Sequence, residues 1–180
     1  QIDFGGIAKG YTGQKLAELF QEYGVSSALV SLGGNIQAIG TKPDGSSWKV
    51  GIRDPKGGQQ DYIGVLSVEN QAVVTSGGYE RYFEEDGETY IHIINPRTGY
   101  PADGDLLSVT IVSRDGTLAD GMSTALYIMG YEKACQFWRQ HREEFNVILV
   151  TDDGKIHISE NLKGNFQTEW ELEMIESGSE

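Results

Sequence analysis

Short strand-like segments separated by turns run through most of the sequence, and this pattern limits the possible folds more than any other feature. Alternating or apolar runs bounded by glycine, proline, asparagine or aspartate are typical of strands. They occupy residues 26–34, 35–55, 62–83, 84–94, 106–113, 145–159 and 168–175. The turns between them are predicted at Pro43–Gly45, Glu69–Asn70 and Asp86–Gly87.

Helical spacing of apolar residues is confined to residues 7–23, 117–130 and 131–144. In the first of these, Ala8, Leu16, Leu19, Phe20 and Tyr23 recur near the helical period, and Gly24 marks the end. Strands outnumber helices, and most neighbouring strands look antiparallel. The sequence therefore predicts a single α+β domain over residues 1–175, with a mostly antiparallel sheet and a few packed helices, and a disordered tail over residues 176–180.

Charge and cysteine content exclude some functions. The 180 residues carry a formal net charge of −13, which argues against nucleic acid as a partner because phosphate backbones are repelled. The single cysteine, Cys135, cannot form an internal disulfide and is expected to pack as a small apolar side chain in a helix. No apolar run approaches the roughly 20 residues that span a bilayer.

Glycine-rich segments at the start of the chain and at two strand ends are candidates for phosphate binding. Glycines precede the first predicted helix, whose first turn contains Lys9 and Gly10, and helix N-termini favour anions. Thr75, Ser76 and Gly77 follow an apolar strand and offer hydroxyl and amide groups. The alternatives remain ordinary turns with a solvated lysine. The diglycine of SLGGN indicates either a bulge or close approach of a ligand.

The stretch INPRTGYPADG, residues 94–104, can be the interior neither of a helix nor of a central strand, because of its prolines. It follows a strand pattern in which Tyr90, His92 and Ile94 share one face. Arg97 is held in the turn beside this histidine. The alternative is a core histidine with hydrogen-bonding partners and a surface arginine.

Asp120 and Thr124 lie four residues apart in the second predicted helix, and so on one face of it. A carboxylate and a hydroxyl one turn apart can both bind a hard cation such as Mg²⁺, with substrate phosphates and water as the other ligands. Thr117 and Asp120 also fit a Thr-x-x-Asp capping box, in which Asp120 only stabilises the start of the helix.

Five segments in order, IDFGGIAKGY, SLGGN, TSGGYERYF, HIINPRTGYP and ADGMSTAL, resemble the ApbE-type FAD:protein FMN transferases. The resemblance runs from residue 2 to about residue 150 and corresponds to the C-terminal part of the family. It implies Mg²⁺-dependent transfer of the FMN moiety of FAD through a phosphoester to a threonine of an acceptor flavoprotein, with release of AMP. It also implies acceptors that are subunits of membrane redox complexes, and a bacterial, extracytoplasmic protein, often a lipoprotein with an upstream anchor.

The same resemblance implies roles for individual residues. The Mg²⁺ ligands would be Asp120, Thr124 and the carbonyl of Ala8. Lys9, Gly10, Thr75, Ser76 and Gly77 would lie along the FAD phosphates and ribose, together with His92. His92 would also accept the proton of the acceptor hydroxyl, with Arg97 as a supporting cation.

Two alternatives to the transferase reaction remain open. The first is hydrolysis of FAD to FMN and AMP, because water and threonine are both hydroxyl nucleophiles. The second is a flavin-binding module without catalysis, because members of the family usually carry a long segment before IDFGGIAKGY that helps to close the flavin pocket.

Overall fold

The computed structural model describes residues 2–80, 82–85 and 87–178. The helices are α1 Ala8–Glu22, α2 Gly116–Met129 and α3 Tyr131–Gln140. The strands are β1 Ala28–Leu32, β2 Asn35–Ile39, β3 Trp48–Arg53, β4 Tyr62–Val68, β5 Ala72–Gly77, β6 Tyr82–Glu85, β7 Glu88–Ile91, β8 Leu106–Ser113, β9 Phe145–Thr151, β10 Ile156–Ser159, β11 Phe166–Gln167 and β12 Leu172–Ile175. A short 3₁₀ turn covers Glu160–Leu162. The predicted α+β class is confirmed.

Most of the strands form one large sheet. Its seven strands run in the order β1-β2-β5-β8-β9-β10-β12, and every pair is antiparallel except β10 with β12. A second sheet of three strands, β11-β4-β3, is also antiparallel. The remaining two strands, β6 and β7, pair only with each other among the described residues.

Alternation along the strands of the large sheet produces two hydrophobic cores. On one face, side chains such as Val73 and Val112 pack against Leu66 and Ile52 of the three-stranded sheet. On the other face, Val109 and Ile111 belong to the core that contains the helical residue Trp138. Because successive residues of a strand point to opposite faces, one sheet can be covered by a second sheet and by helices at once.

Cys135 belongs to the core between the large sheet and the helices and is buried, as predicted. Burial raises the pKa of its thiol, which disfavours the reactive thiolate.

Helix α1 forms where predicted, but its buried face differs from the expected one. Its buried residues are Gly10, Gly13 and Ala17, while Leu19 and Tyr23 are exposed. A Cβ atom added to Gly10 would lie 2.1 Å from the carbonyl oxygen of Gly116. The absent side chain at Gly10 thus lets α1 approach α2 closely, which an apolar stripe of large residues would prevent.

Strand β1 is half-exposed although its sequence is mostly apolar. It lies at the edge of the large sheet, and no residue of Ala28–Leu32 is fully buried. Edge strands have one neighbour and therefore keep part of their surface in solvent. The diglycine forms the tight turn into β2, with both Gly33 and Gly34 at positive φ.

Other boundaries follow the sequence with small shifts. Helix α3 ends at Gln140 rather than at residue 144, where the amide of Glu144 donates to the carbonyl of His141 in a turn. The predicted turn residue Asp86 lies outside the described residues, as do residues 179 and 180 of the predicted tail. The assignment of residues 1–175 to a single domain stays a prediction.

None of the helices in the described part of the chain is long and apolar enough to cross a membrane.

Candidate functional site

A cavity of about 900 Å³ lies where the start of α1, the β1–β2 turn, β3, the end of β5, the segment after β7 and helix α2 meet. Six of the residues predicted from sequence line it: Lys9, Thr75, Ser76, His92, Asp120 and Thr124. These residues come from four separate parts of the chain. The fold therefore assembles most of the predicted site in one place.

Asp120 is buried at the centre of this arrangement, with 5% of its surface exposed. Its Oδ2 accepts a 2.7 Å hydrogen bond from the backbone N–H of Gly10. Gly10 lies in the first turn of α1, where N–H groups have no acceptor within the helix, and no side chain at the N-cap of α1 supplies one. The carboxylate of Asp120 therefore caps α1 from a different helix.

The capping box suggested at the start of α2 is wrong. Helix α2 begins at Gly116, and its N-cap is Asp115, whose Oδ1 accepts the N–H groups of Thr117 and Leu118. Asp120 lies more than a turn further along, too far to pair with the start of its own helix. Its side chain is directed instead to α1 and the cavity.

Hydroxyl groups link the end of β5 to α2. Ser76 Oγ lies 2.8 Å from Ser123 Oγ and 3.1 Å from Thr124 Oγ1. The hydroxyl of Thr75 forms a 2.8 Å hydrogen bond with that of Thr110 on β8. Ser123, which sequence reasoning missed, also donates to the carbonyl of Asp120. These contacts fix the position of Thr124 relative to the strand that ends at Gly77.

The oxygen atoms around Asp120 are those that a small, hard cation prefers. They comprise one carboxylate and the Thr124 hydroxyl on the cavity surface. The Ala8 carbonyl, the third predicted ligand, accepts a 2.7 Å hydrogen bond from the Thr12 hydroxyl, and Ala8 does not line the cavity. Among the described residues no three His, Cys, Asp or Glu side chains converge as a metal cluster. Such a donor set suits an ion that draws its remaining ligands from phosphates and water.

His92 lines the cavity and is exposed, whereas Ile93 beside it is buried. The alternative of a core histidine is therefore wrong. Strand β7 ends at Ile91, so His92 lies just beyond the strand and not within it.

Arg97 lies in the turn after His92, where its amide donates to Asn95 Oδ1. It is exposed and does not line the cavity. Its role as a supporting cation stays a prediction.

Two glycines predicted to bind cofactor are buried and do not line the cavity. Gly10 contributes its backbone N–H, which donates a hydrogen bond to the carboxylate of Asp120. Gly77 makes room for an aromatic ring, because an added Cβ would lie 2.4 Å from Cε1 of Tyr79. Direct contact between either glycine and a cofactor stays a prediction.

Several lining residues were missed by sequence reasoning, and most belong to the smaller sheet. They are Lys49, Gly51, Arg53, Tyr62 and Tyr79. The alternation in WKVGIR was a usable signal, because Val50 and Ile52 are buried and the residues between them must face the other side.

The cavity of this α+β fold combines hydroxyl groups, basic side chains and a buried carboxylate. The ApbE family model matches residues 1–149. The chain therefore belongs to the ApbE family.

Two curated relatives illustrate this membership. The chain is 42% identical over 159 residues to the FAD:protein FMN transferase of Klebsiella pneumoniae (strain 342), covering 88% of the chain and 48% of the relative. It is 47% identical over 148 residues to the enzyme of the same name from Treponema pallidum (strain Nichols), covering 78% of the chain and 41% of the relative. The chain thus spans about half the length of these relatives.

Solved structures agree with this assignment. The ApbE protein from Thermotoga maritima MSB8 matches with a TM-score of 0.83 and 37% identity, over 92% of this chain and 53% of that one. Flavin transferase ApbE from Vibrio cholerae matches with a TM-score of 0.77 and 32% identity, over 90% of this chain and 52% of that one.

Proposed function

We propose that the cavity binds FAD and that the protein transfers the FMN moiety of FAD to a threonine hydroxyl of an acceptor protein, with release of AMP. The observation that carries the proposal is the meeting of Asp120, Thr124, Lys9 and His92 at one cavity. Its volume of about 900 Å³ falls within the range typical of small-molecule and cofactor sites.

Mg²⁺ is proposed as the ion at Asp120 and Thr124, with the Ala8 carbonyl as a candidate third ligand. When bound, the ion would neutralise charge on the diphosphate and polarise its phosphorus–oxygen bonds. Asp120 is already held in place by the Gly10 N–H, so its carboxylate needs no reorientation to receive a cation.

Lys9 supports binding of the phosphates. It lies in the first turn of α1, and its Nζ is 3.4 Å from the carbonyl of Gly33 on the β1–β2 turn. The amino group is thus held at the cavity, where a charge-assisted hydrogen bond to a phosphate oxygen can form.

In the proposed reaction the threonine oxygen attacks the phosphorus of the FMN moiety. A new phosphorus–oxygen bond forms to threonine, and the bond to the bridging oxygen of the diphosphate breaks. AMP leaves with the bridging oxygen. His92 takes the proton of the threonine hydroxyl, a role supported by its exposed position on the cavity wall.

The acceptor is proposed to be a flavoprotein subunit of a membrane redox complex, and the site of action to lie outside the cytoplasmic membrane of a bacterium, with a lipid anchor upstream. Because His92 is exposed, water can reach the same position as the threonine hydroxyl. Hydrolysis of FAD to FMN and AMP is therefore the competing reaction.

Mass spectrometry of one reaction separates these possibilities. The protein is incubated with FAD, Mg²⁺ and an acceptor domain that carries the threonine, alongside a reaction without acceptor. We expect AMP together with a covalent FMN adduct on the acceptor. AMP with free FMN and no adduct would establish hydrolysis instead, and bound FAD without AMP would establish a non-catalytic flavin-binding protein.

A further inference from the structure

One strand of the smaller sheet presents a row of side chains to the cavity. In β3, Val50 and Ile52 belong to the core between the two sheets, and Val50 also borders the cavity. Lys49, Gly51 and Arg53, which alternate with them, line the cavity. This is the alternation expected of a strand with one face on a core. It places a guanidinium group on the cavity wall.

Arg53 lies over an aromatic ring. The central carbon of its guanidinium lies 4.9 Å from the centroid of the Tyr79 ring. A cation at this distance over the face of a tyrosine is attracted by the negative charge density of the ring. A guanidinium group that contacts a ring with its face keeps its N–H groups for acceptors in its own plane.

The protein does not supply that acceptor. Nε of Arg53 is buried, and no described residue accepts a hydrogen bond from it. Nor does any carboxylate of the described residues form an ion pair with Arg53. A buried N–H without an acceptor is costly and unusual in native proteins. Here it belongs to a side chain that lines the cavity, where a bound ligand can accept hydrogen bonds from the guanidinium group.

Tyr79 is half-buried and packs against the end of β5. Its ring packs over Gly77, where an added Cβ would lie 2.4 Å from Cε1. Burial raises the pKa of Tyr79 to about 12, so its phenol is neutral at physiological pH and cannot act as an anionic partner for Arg53. The interaction is therefore with the face of the ring.

The other two cations of the cavity already have acceptors. Lys9 Nζ is 3.4 Å from the carbonyl of Gly33, and Lys49 Nζ is 2.6 Å from Ser67 Oγ. Arg53 differs from both in having a buried N–H that lacks a protein acceptor. A guanidinium also binds phosphate oxygens through two parallel hydrogen bonds, which an ammonium group cannot do.

We propose that Arg53, positioned by the ring of Tyr79, binds a phosphate group of the dinucleotide from the β3 wall of the cavity. This inference rests on the proposed function, because it takes the ligand to be FAD. It assigns the phosphate-binding arginine to the smaller sheet, away from the turn that contains Arg97.

Arg53→Lys tests the assignment, because it keeps the positive charge and removes the two parallel N–H donors of the guanidinium group. Binding of FAD and of ADP, each with Mg²⁺, is measured by calorimetry for the wild type and the variant. We expect both ligands to bind about 10- to 100-fold more weakly to the variant. Unchanged affinities would overturn the assignment, and a loss for FAD alone would overturn it by placing Arg53 against the flavin ring.

The two probes also separate this inference from the proposed function. If the wild type binds ADP but not FAD, and the variant loses ADP affinity, the role of Arg53 stands and the proposed function fails. If the wild type binds FAD and Arg53→Lys binds it equally well, the role of Arg53 fails and the proposed binding of FAD stands. A wild type that binds neither probe would overturn both.

Two further variants serve as controls. Arg139 on α3 is a matched arginine whose Nε already donates to the carbonyl of Glu176, at 2.9 Å, and Arg139→Lys is expected to leave both affinities unchanged. Tyr79→Phe keeps the ring and should retain binding within about twofold, whereas Tyr79→Leu should weaken it. In the Arg53→Lys background Tyr79→Leu should have a smaller effect, because the pair then no longer acts as a unit.

Discussion

The backbone N–H of Gly10 and the carboxylate of Asp120 are joined by a 2.7 Å hydrogen bond across 110 residues of sequence. The contact satisfies a donor in the first turn of α1 and directs a buried carboxylate at the cavity. One interaction thus contributes both to helix packing and to the candidate cation site. Changes at Gly10 should affect stability and function together.

Gly10→Ala should destabilise the protein by about 1–3 kcal/mol, because the new methyl group would overlap the carbonyl of Gly116 and Cβ of Asp120, at 2.1 and 2.6 Å. The better helix propensity of alanine, worth about 1 kcal/mol, offsets only part of this. Urea denaturation measures the loss. Gly104→Ala is the control, since a Cβ there meets nothing within 4 Å, and should change the free energy of unfolding by less than about 0.5 kcal/mol. Equal stability of the two variants would contradict the close approach of α1 and α2.

His92→Asn should lower the rate of FMN transfer by about 10²- to 10⁴-fold, the range typical of a lost general base. FAD affinity should change little, because the substituted side chain is polar and the site is exposed. Single-turnover transfer and equilibrium binding of FAD are measured on the same variant. His141→Asn, at the C-terminal end of α3 and outside the cavity lining, should leave both quantities unchanged. Similar losses in rate and affinity for His92→Asn would indicate a binding role instead.

The stability of the protein should depend on the titration of His157, which lies in β10 and is 5% exposed. Burial lowers the pKa of its imidazole from 6.5, and this outweighs the opposite effect of Glu173, whose Oε2 is 3.4 Å from Nδ1. The pKa of Tyr131 is raised by burial to about 12, so its hydroxyl remains protonated and can donate to Nδ1 of the neutral ring, at 3.1 Å.

Because the pKa of His157 is lower in the folded state, the unfolded chain binds more protons between the two values. This contribution to stability is therefore fully present above pH 6.5 and is lost as the pH falls towards the lowered folded-state pKa. Denaturant titrations at about pH 7.5 and about pH 5.5 should show a larger loss for the wild type than for His157→Asn. Parallel pH profiles for the two proteins would exclude this role of His157.

Much of the fold was predictable because its signals are local. Gly33 and Gly34 indicated the end of the first strand, although a bulge or a ligand contact was expected there and not the tight turn that forms. Gly24 indicated the end of α1, where its positive φ favours glycine. The exposure of β1 was not predictable, because an apolar run of strand length looks alike at the edge and in the middle of a sheet.

The candidate site was predictable in its motifs but not in its contacts. Asp120 and Thr124 were identified by helical spacing, yet the partner of Asp120 lies on α1, and no local pattern indicates it. The contact of Arg53 with Tyr79 likewise joins β3 to the turn that follows β5. Such contacts depend on how the elements pack, which sequence periodicity does not specify.

The central claim is that Asp120 holds a divalent cation for the FAD diphosphate. Asp120→Asn tests it most directly, because the amide oxygen can still accept the Gly10 N–H while the charge is lost. FAD affinity and AMP release are measured against Mg²⁺ concentration for wild type and variant, with circular dichroism as the check on folding. We expect a Mg²⁺-dependent gain in affinity for the wild type alone, and AMP release about 10²- to 10³-fold slower in the variant. A folded variant with the same Mg²⁺ dependence and rate as the wild type would contradict the account.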